Sequence, residues 1–398
     1  MLGAIIGDIV GSIYEYNNIK TKDFEILTDE SFFTDDTIMT IAVADALLKG
    51  GTADDFIDSM KKFGRLYPKA DYGNRFRAWL MSDDRKPYNS WGNGSAMRVS
   101  PCAWFADSLD EAERLAELSA SVTHSHPEGI KGAKATAAAI YLARMGSPRR
   151  ADETKQKIKE YIENKYGYNL SRTLDEIRPT YKFDESCQGT VPEAIIAFLE
   201  SKYPIFPGIC RVDFEASEFT DALRNAVSLG GDCDTLTAIT GSIAEAMHKI
   251  PHEFFSDTFD IIDDPLAQVI NEWLDAGKPL SSVVTSDYLH SDEELRFSKP
   301  QSAKTRINLS QKQFACMRHG RACRSQDDKW ITFYQNGKLY NFRVGLGHML
   351  YEAKITKRKS KPGYYISEIT FESDPEIWQP KKDPAKIYKG FIPYRKRD

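Results

Sequence analysis

Two short acidic runs limit what this chain can become. The first is Thr34-Asp35-Asp36-Thr37 and the second is Gly230-Gly231-Asp232-Cys233-Asp234-Thr235. Each opens an apolar, alanine-rich stretch that reads as a buried helix, Ile38 to Leu48 after the first run and Leu236 to Met247 after the second. Within a continuous helix, residues one or two positions apart do not share a face. Neither run can therefore aim both carboxylates at one point from inside a helix. At a loop-to-helix junction it can, and Gly230-Gly231 supplies the backbone freedom for it. Both runs are accordingly placed at helix N-termini, where the helix dipole also favours ionised carboxylates.

Helix capping is the bland reading of either run, since Thr and Asp are preferred caps. A cap needs one side chain, whereas each run carries two carboxylates and at least one threonine. If the runs meet in the fold, four carboxylates lie together. Each close like-charged pair then costs on the order of 4 kcal/mol at an effective dielectric of about 20. Bound cations or protonation relieve that repulsion, and oxygen ligands of this kind select hard ions such as Mg²⁺ or Mn²⁺.

Further motifs stand in order around the two runs. They are Gly3-Ala4-Ile5-Ile6-Gly7-Asp8 through Gly11 and Glu15, then Phe33 with the first acidic run, then Trp91-Gly92-Asn93-Gly94-Ser95-Ala96-Met97-Arg98. Next come Thr123-His124-Ser125-His126-Pro127-Glu128, Gly189-Thr190-Val191-Pro192-Glu193-Ala194 and the second acidic run. In this order and at these spacings the chain resembles the ADP-ribosylglycohydrolases of the dinitrogenase-reductase-activating type, over about residues 1–280. The resemblance implies an all-α catalytic domain built as an orthogonal helix bundle. It also implies two Mg²⁺ or Mn²⁺ ions held by Thr34, Asp35, Asp36, Asp232, Asp234 and Thr235. Glu15 would position or deprotonate the attacking water, with Asp36 sharing the task while bound to metal. Gly92, Asn93, Gly94, Ser95, Met97 and His124 would contact the ADP-ribose. Arg98 can pair with a diphosphate or with a structural carboxylate.

The implied reaction is hydrolytic release of ADP-ribose from a modified protein or nucleic acid, by cleavage at ribose C1″. Three rivals remain open: a hydrolase of a free ADP-ribosylated small molecule, a metal-free binding protein on the same fold, and an immunity protein that sequesters an ADP-ribosyltransferase toxin. Which residue or base carries the ADP-ribose is not written in any motif.

The 398 residues hold no run of 18 apolar residues, so no membrane span is expected. The apolar start lacks a preceding basic region and is interrupted by Asp8, unlike a signal peptide. Six scattered cysteines do not form a disulfide framework, which fits a reducing, cytoplasmic location. Charge is uneven. Residues 299–398 carry 22 Lys+Arg against 9 Asp+Glu, a balance of +13, while residues 1–298 balance at −18.

The pattern places helices at 37–49, 53–65, 72–82, 110–121, 128–145, 151–166, 192–201, 236–248 and 264–276. Gly146 and Gly167 read as C′ glycines, and Pro192 as a first helical residue. Glycines at 3, 7 and 11 put a small-residue strip on one helix face, a packing feature. His124 and His126 form at most a zinc half-site with no third ligand nearby, and Cys233 is too soft for the proposed ions, so it reads as packing.

The expected organisation is a helical domain at 1–285, a linker at 286–305 and a small basic β-containing domain at 306–398. Asn336-Gly337 between 329–335 and 338–344 is a strong hairpin signal, and 350–356 with 364–372 reads as a second strand pair. Cys316, His319 and Cys323 are three candidate zinc ligands without a fourth, and free thiols are the simpler reading. Basic residues interleaved with Trp330, Tyr334, Tyr340, Phe342 and Tyr364 suit nucleic-acid contact by phosphate pairing and base stacking. A solvated basic surface or a docking face for the acidic domain are the competing readings.

Overall fold

The computed structural model describes residues 1–203, 217–280, 296–321, 330–359, 362–378, 383, 386 and 388–392. In chain order the first helices are α1 (Leu2–Gly11), α2 (Asp35–Lys49), α3 (Ala53–Leu66), α4 (Asn74–Met81) and α5 (Gly94–Met97). They are followed by α6 (Ser100–Phe105), α7 (Leu109–Ser121), α8 (Pro127–Met145), α9 (Ala151–Tyr166) and α10 (Leu174–Ile177). Then come α11 (Cys187–Leu199), α12 (Glu218–Val227), α13 (Cys233–Met247), α14 (Glu253–Ile261) and α15 (Asp264–Asp275). The remainder is β1 (Pro300–Leu309), α16 (Gln311–His319), β2 (Trp330–Gln335), β3 (Lys338–Arg343), β4 (His348–Lys357) and β5 (Tyr364–Glu372). The expected class, helices first and a small β-containing part after them, is the observed one.

The chain divides into two compact units, residues 1–251 with 272–281, and residues 252–271 with 282–398. Helix α13 is the axis of the first unit. Almost every residue along it is buried, as befits a helix apolar or small on all sides. The glycine strip of α1 lies directly on it. A Cβ at Gly3, Gly7 or Gly11 would fall 2.2, 2.1 or 2.4 Å from the backbone oxygens of Gly241, Thr237 and Cys233. Only glycine permits backbones that close. The contact carries the end of α1 to the start of α13, and with it Asp8 and Glu15 to the second acidic run.

Two helix ends differ from expectation. Helix α11 starts at Cys187, five residues before Pro192, because the Ser186 hydroxyl accepts from the Gly189 N–H and caps the extra turn. Pro192 therefore lies inside the helix and removes the partner of the Gln188 carbonyl; Gln188 is exposed, where water can serve instead. Gly146 ends α8 in an extended conformation, φ −75° and ψ 176°. It is required by closeness, since a Cβ there would meet Thr154 Cγ2 at 2.3 Å. Gly167 does close α9 in the left-handed region, at φ 68°.

The second unit is built on a five-stranded antiparallel sheet in the order β1-β5-β4-β3-β2. Asn336 (φ 52°) and Gly337 (φ 77°) make the tight turn between β2 and β3, as two consecutive positive φ values require. Residues 300–305, expected as linker, belong to β1, so the linker ends earlier; residues 286–295 of that segment lie outside the described residues. Residues 252–271 also group with this unit rather than with the helical domain. Their aromatic side chains explain it: Phe255 stacks on His319 of α16 at 4.9 Å, and Phe259 packs on the same ring.

The aromatic residues of this unit do not form a stacking platform. Phe314 of α16 packs against Tyr334 and, with centroids 4.0 Å apart, against Tyr364. Trp330 contacts Tyr351 and Phe391, Phe342 is buried with Ile331, Phe333 and Met349, and Tyr340 stacks on Phe333. Phe342 and Tyr364 are core, and Trp330, Tyr334 and Tyr340 are partly buried against it. The expected interleaving is the ordinary alternation of strands with one residue in and the next out, and the aromatic half of the nucleic-acid reading falls away. His319 is likewise committed, its Nδ1 donating to the Ala315 carbonyl at 2.8 Å inside a fully buried setting. Cys323 lies outside the described residues.

Candidate active site

Both acidic runs stand where their composition places them, at loop-to-helix junctions, but they are built differently. Thr34 caps α2 in extended conformation, its Oγ1 accepting from the Asp36 N–H at 3.2 Å. Asp35 and Asp36 occupy the first turn. The second run leaves the glycine pair in the left-handed region, φ 67° and 78° for Gly230 and Gly231. Asp232 then sits at the N-cap of α13 without making a cap bond through its side chain. Its Oδ2 accepts instead from Asn93 Nδ2 at 2.6 Å. Cys233 is buried and its thiol pushed up by burial, then by Asp234, which fits packing rather than ligation.

The runs meet. Thr235 Oγ1 of the second donates to Asp36 Oδ1 of the first at 3.3 Å. Carboxylate oxygens of Glu15, Asp232 and Asp234 lie within 4.8 Å of one another. Among the described residues, Asp36 Oδ2 and Asp234 Oδ1 are buried without a hydrogen-bond partner. Burial, followed by the charge of Asp234, holds Asp35, Asp36 and Asp232 well above the usual carboxylate range. The same two causes raise Glu15 to about 7.

Asp8 is the residue that motif reading quoted without giving it a role. It is fully buried. Its Oδ1 accepts from Thr34 Oγ1 at 2.8 Å, and its Oδ2 from the N–H groups of Thr34 and Thr37 at 2.9 and 3.1 Å. One carboxylate thus ties α1 to the first turn of α2 and fixes the Thr34 hydroxyl with its proton toward Asp8. Burial and then Asp234 raise Asp8 to about 7. The signal available in the sequence was an acid in an otherwise apolar helix flanked by glycines.

The acids form one wall of a cleft of about 400 Å³. Facing them are Gly92, Asn93, Gly94, Met97, Arg98 and His124, with Arg75, Tyr88, Phe183 and Glu185 also lining it. The Gly92–Ser95 segment is held by the strand-like residues before α11, through Asn93 N to Glu185 O at 2.7 Å and Cys187 N to Trp91 O at 3.0 Å. Its polar side chains are engaged within the protein. Asn93 donates to Thr190 Oγ1 as well as to Asp232, and Ser95 Oγ turns away to the Gly129 carbonyl at 2.7 Å. Among the described residues Arg98 pairs with no carboxylate. It is fully buried and donates to the Ser119 carbonyl and Thr123 Oγ1. His124 opens on the cleft, whereas His126 caps α8 by accepting from the Glu128 N–H, so the two histidines share no site. Arg75, Tyr88 and Phe183 belong to no motif and were not legible.

Buried acids and a glycine-rich loop thus line one cleft of the helical unit. The profile of the ADP-ribosylglycohydrolase family matches residues 1–279, and the chain belongs to that family. Among its relatives, the ADP-ribosylhydrolase ARH3 of Mus musculus is 27% identical over 345 residues, covering 68% of this chain and 91% of that protein. The ADP-ribosylarginine hydrolase Tri1 of Pseudomonas putida (strain GB-1) is 25% identical over 285 residues, covering 63% and 70% respectively. A solved structure, "ADP-ribosylglycohydrolase-related protein complex", aligns with a TM-score of 0.47 and 22% identity over 64% of this chain and 88% of that one. Among the described residues no helix is long and apolar enough to cross a membrane.

Proposed function

We propose that this protein is a divalent-cation-dependent hydrolase that releases ADP-ribose from a modified protein by cleavage at ribose C1″. The observation that carries the reading is the pair of buried oxygens, Asp36 Oδ2 and Asp234 Oδ1, that have no hydrogen-bond partner among the described residues and lie in a cluster of carboxylates. Such a donor set fits Mg²⁺ or Mn²⁺, hard ions that accept several carboxylates and hydroxyls. Thr34, Asp35, Asp36, Asp232, Asp234 and Thr235 would hold two such ions. When bound, they supply charge neutralisation and a Lewis acid for the ribose hydroxyls. The chain's own part is positional. Asp8 keeps the first run in place, Asn93 orients Asp232, and the α1–α13 contact sets the depth of Glu15. Glu15, half-exposed at the cleft, is the residue placed to take a proton from water as an oxocarbenium-like state develops.

The relatives named for ADP-ribosyl and ADP-ribosylarginine hydrolysis support a protein-borne substrate. The rival of a metal-free binding protein loses support because every acid of both runs is present and faces the cleft or its neighbours. The deciding experiment is a substrate panel, proteins modified on arginine or on serine and free ADP-ribosylated compounds, with released ADP-ribose measured. Elemental analysis of Mn²⁺-loaded protein should show close to two ions per chain and a loss in the Asp36→Asn/Asp234→Asn double variant. Unchanged metal content in that variant would remove the proposed ligand set.

A further inference from the structure

The wall opposite the acids contains a buried polar chain that the reaction scheme above does not use. Arg98 follows α5 and is completely buried, with its guanidinium over the Phe76 ring at 5.6 Å. Its Nη2 donates to Thr123 Oγ1 at 2.8 Å. Thr123 Oγ1 lies in turn 2.7 Å from His124 Nδ1. A hydroxyl has one proton and two lone pairs, while a guanidinium can only donate. Thr123 must therefore accept from Arg98.

Two arrangements are then left for the contact with the imidazole. If His124 Nδ1 carried the proton, Thr123 would accept twice and its own proton would have no acceptor. Thr123 is fully buried, and Arg98 and His124 are its side-chain partners among the described residues. An unmade bond of that kind costs about 1–3 kcal/mol. If Thr123 donates to Nδ1, the hydroxyl and the imidazole Nδ1 are both satisfied and the ring proton sits on Nε2. That atom opens on the cleft beside the glycine loop. A Cβ on Gly94 would stand 3.3 Å from it, and a Cβ on Gly92 3.7 Å.

We infer that Arg98 and Thr123 are positioning residues that lock His124 as a neutral Nε2–H donor, aimed at an acceptor oxygen of the bound ADP-ribose. The assignment of the ligand rests on the function proposed above; the tautomer itself does not. Burial, then Arg98 and then Arg75, holds the imidazole well below its usual range, so it stays neutral at working pH. The glycines at 92 and 94 fit the same scheme, because larger residues would crowd the donor. Among the described residues Arg98 Nε and Nη1 are buried without partners, and Thr123 is the side chain that links the guanidinium to the ring by hydrogen bonds.

The test is nitrogen NMR on protein labelled at histidine, with the His124 signals identified by their loss in His124→Asn. The metal-free full chain should show a neutral His124 protonated on Nε2. Thr123→Val should release the tautomer and weaken ADP-ribose binding about tenfold, the value of one lost well-placed hydrogen bond. Thr123→Ser should restore both. An Nδ1-protonated ring in the wild type, or a Thr123→Val protein with unchanged tautomer and affinity, would overturn the inference. If Thr123→Val does not fold, the wild-type tautomer and the Thr123→Ser protein decide it. A fixed Nε2–H tautomer in a protein that neither binds nor releases ADP-ribose would leave the relay standing and count against the proposed function.

Discussion

The two walls of the cleft differ in how their polar groups are bonded. On one side Asp35, Asp36, Asp232, Asp234 and Glu15 crowd like charges together, and two of their oxygens are buried with nothing to bond. On the other, Arg98, Thr123 and His124 form a chain in which the hydroxyl and the ring both find partners. An unfinished wall is a place for ions to complete, and its energy depends on what binds. The other wall also leaves Arg98 Nε and Nη1 without partners among the described residues, but its hydroxyl and ring are bonded to each other and offer a donor at a set place, as a preorganised site does. Changes on the acid wall should therefore alter chemistry and metal content, while changes on the other should alter affinity alone.

The largest effect belongs to Glu15. Replacing its carboxylate by an amide keeps the size and removes the base. Glu15→Gln is expected to lower turnover by about 10²- to 10⁴-fold, with two ions per chain retained. Steady-state kinetics and elemental analysis on the same preparation check this. Near-normal turnover would take Glu15 out of the mechanism. Loss of metal instead would make it a ligand, in keeping with its closeness to Asp232 and Asp234.

The next effect is on stability and concerns only the acid wall. Asp8 is raised from an ordinary 3.8 to about 7, and Glu15 from 4.5 to about 7. Below both values the folded and unfolded chains hold these protons alike. As pH rises from about 4 toward 7 the unfolded chain sheds them first, so the metal-free fold loses stability across that window. Elsewhere Asp45, Glu113 and Glu372 are held below their ordinary values and act in the opposite sense. Comparing melts with a chelator and with excess Mg²⁺ cancels those groups, which are common to both. The gap between the two melting temperatures should widen steadily between pH 4.5 and 7.5, a span set about the two titrations. Parallel curves would mean that the acids are not relieved by the ion.

How much of this was readable beforehand also differs by wall. The acid runs were legible because adjacent carboxylates beside glycines break helical periodicity, and no structural task needs them both. The glycine strip at 3, 7 and 11 was read as packing, and it is; its partner could not be read, because α13 lies more than 200 residues away. For Arg98 the sequence leaves a diphosphate and a structural carboxylate open; among the described residues its hydrogen-bond partners are a carbonyl on α7 and a hydroxyl in the loop after it rather than a carboxylate. Ser186 was not seen as a cap because Pro192 is the louder signal. Residues 300–305 of β1 read as linker for a different reason. This is an edge strand with one neighbour, and only Ile307 and Leu309 along it are buried. Its polar outer residues are those an edge needs to stay soluble, and they look like linker composition.

The smallest effect should come from the glycine loop and tests whether His124 is held as firmly as its bond to Thr123 implies. Gly94 opens α5 and its backbone is not in the left-handed region, so alanine is allowed there without strain and suits a helix better. The only cost lies in front of it, where the new methyl would stand 3.3 Å from His124 Nε2. At that distance one of the two must move by a few tenths of an ångström, and the imidazole is held from behind by Thr123. Gly94→Ala should therefore cover the Nε2–H partially and weaken ADP-ribose binding by about two- to fivefold, roughly 0.4–1 kcal/mol. The His124 tautomer and the metal content should stay as they are. Calorimetric titration with ADP-ribose beside the nitrogen spectrum of His124 measures both. Affinity equal to the wild type would mean that Nε2 does not face the ligand, and a changed tautomer would mean that the ring yields more easily than its bond to Thr123 implies.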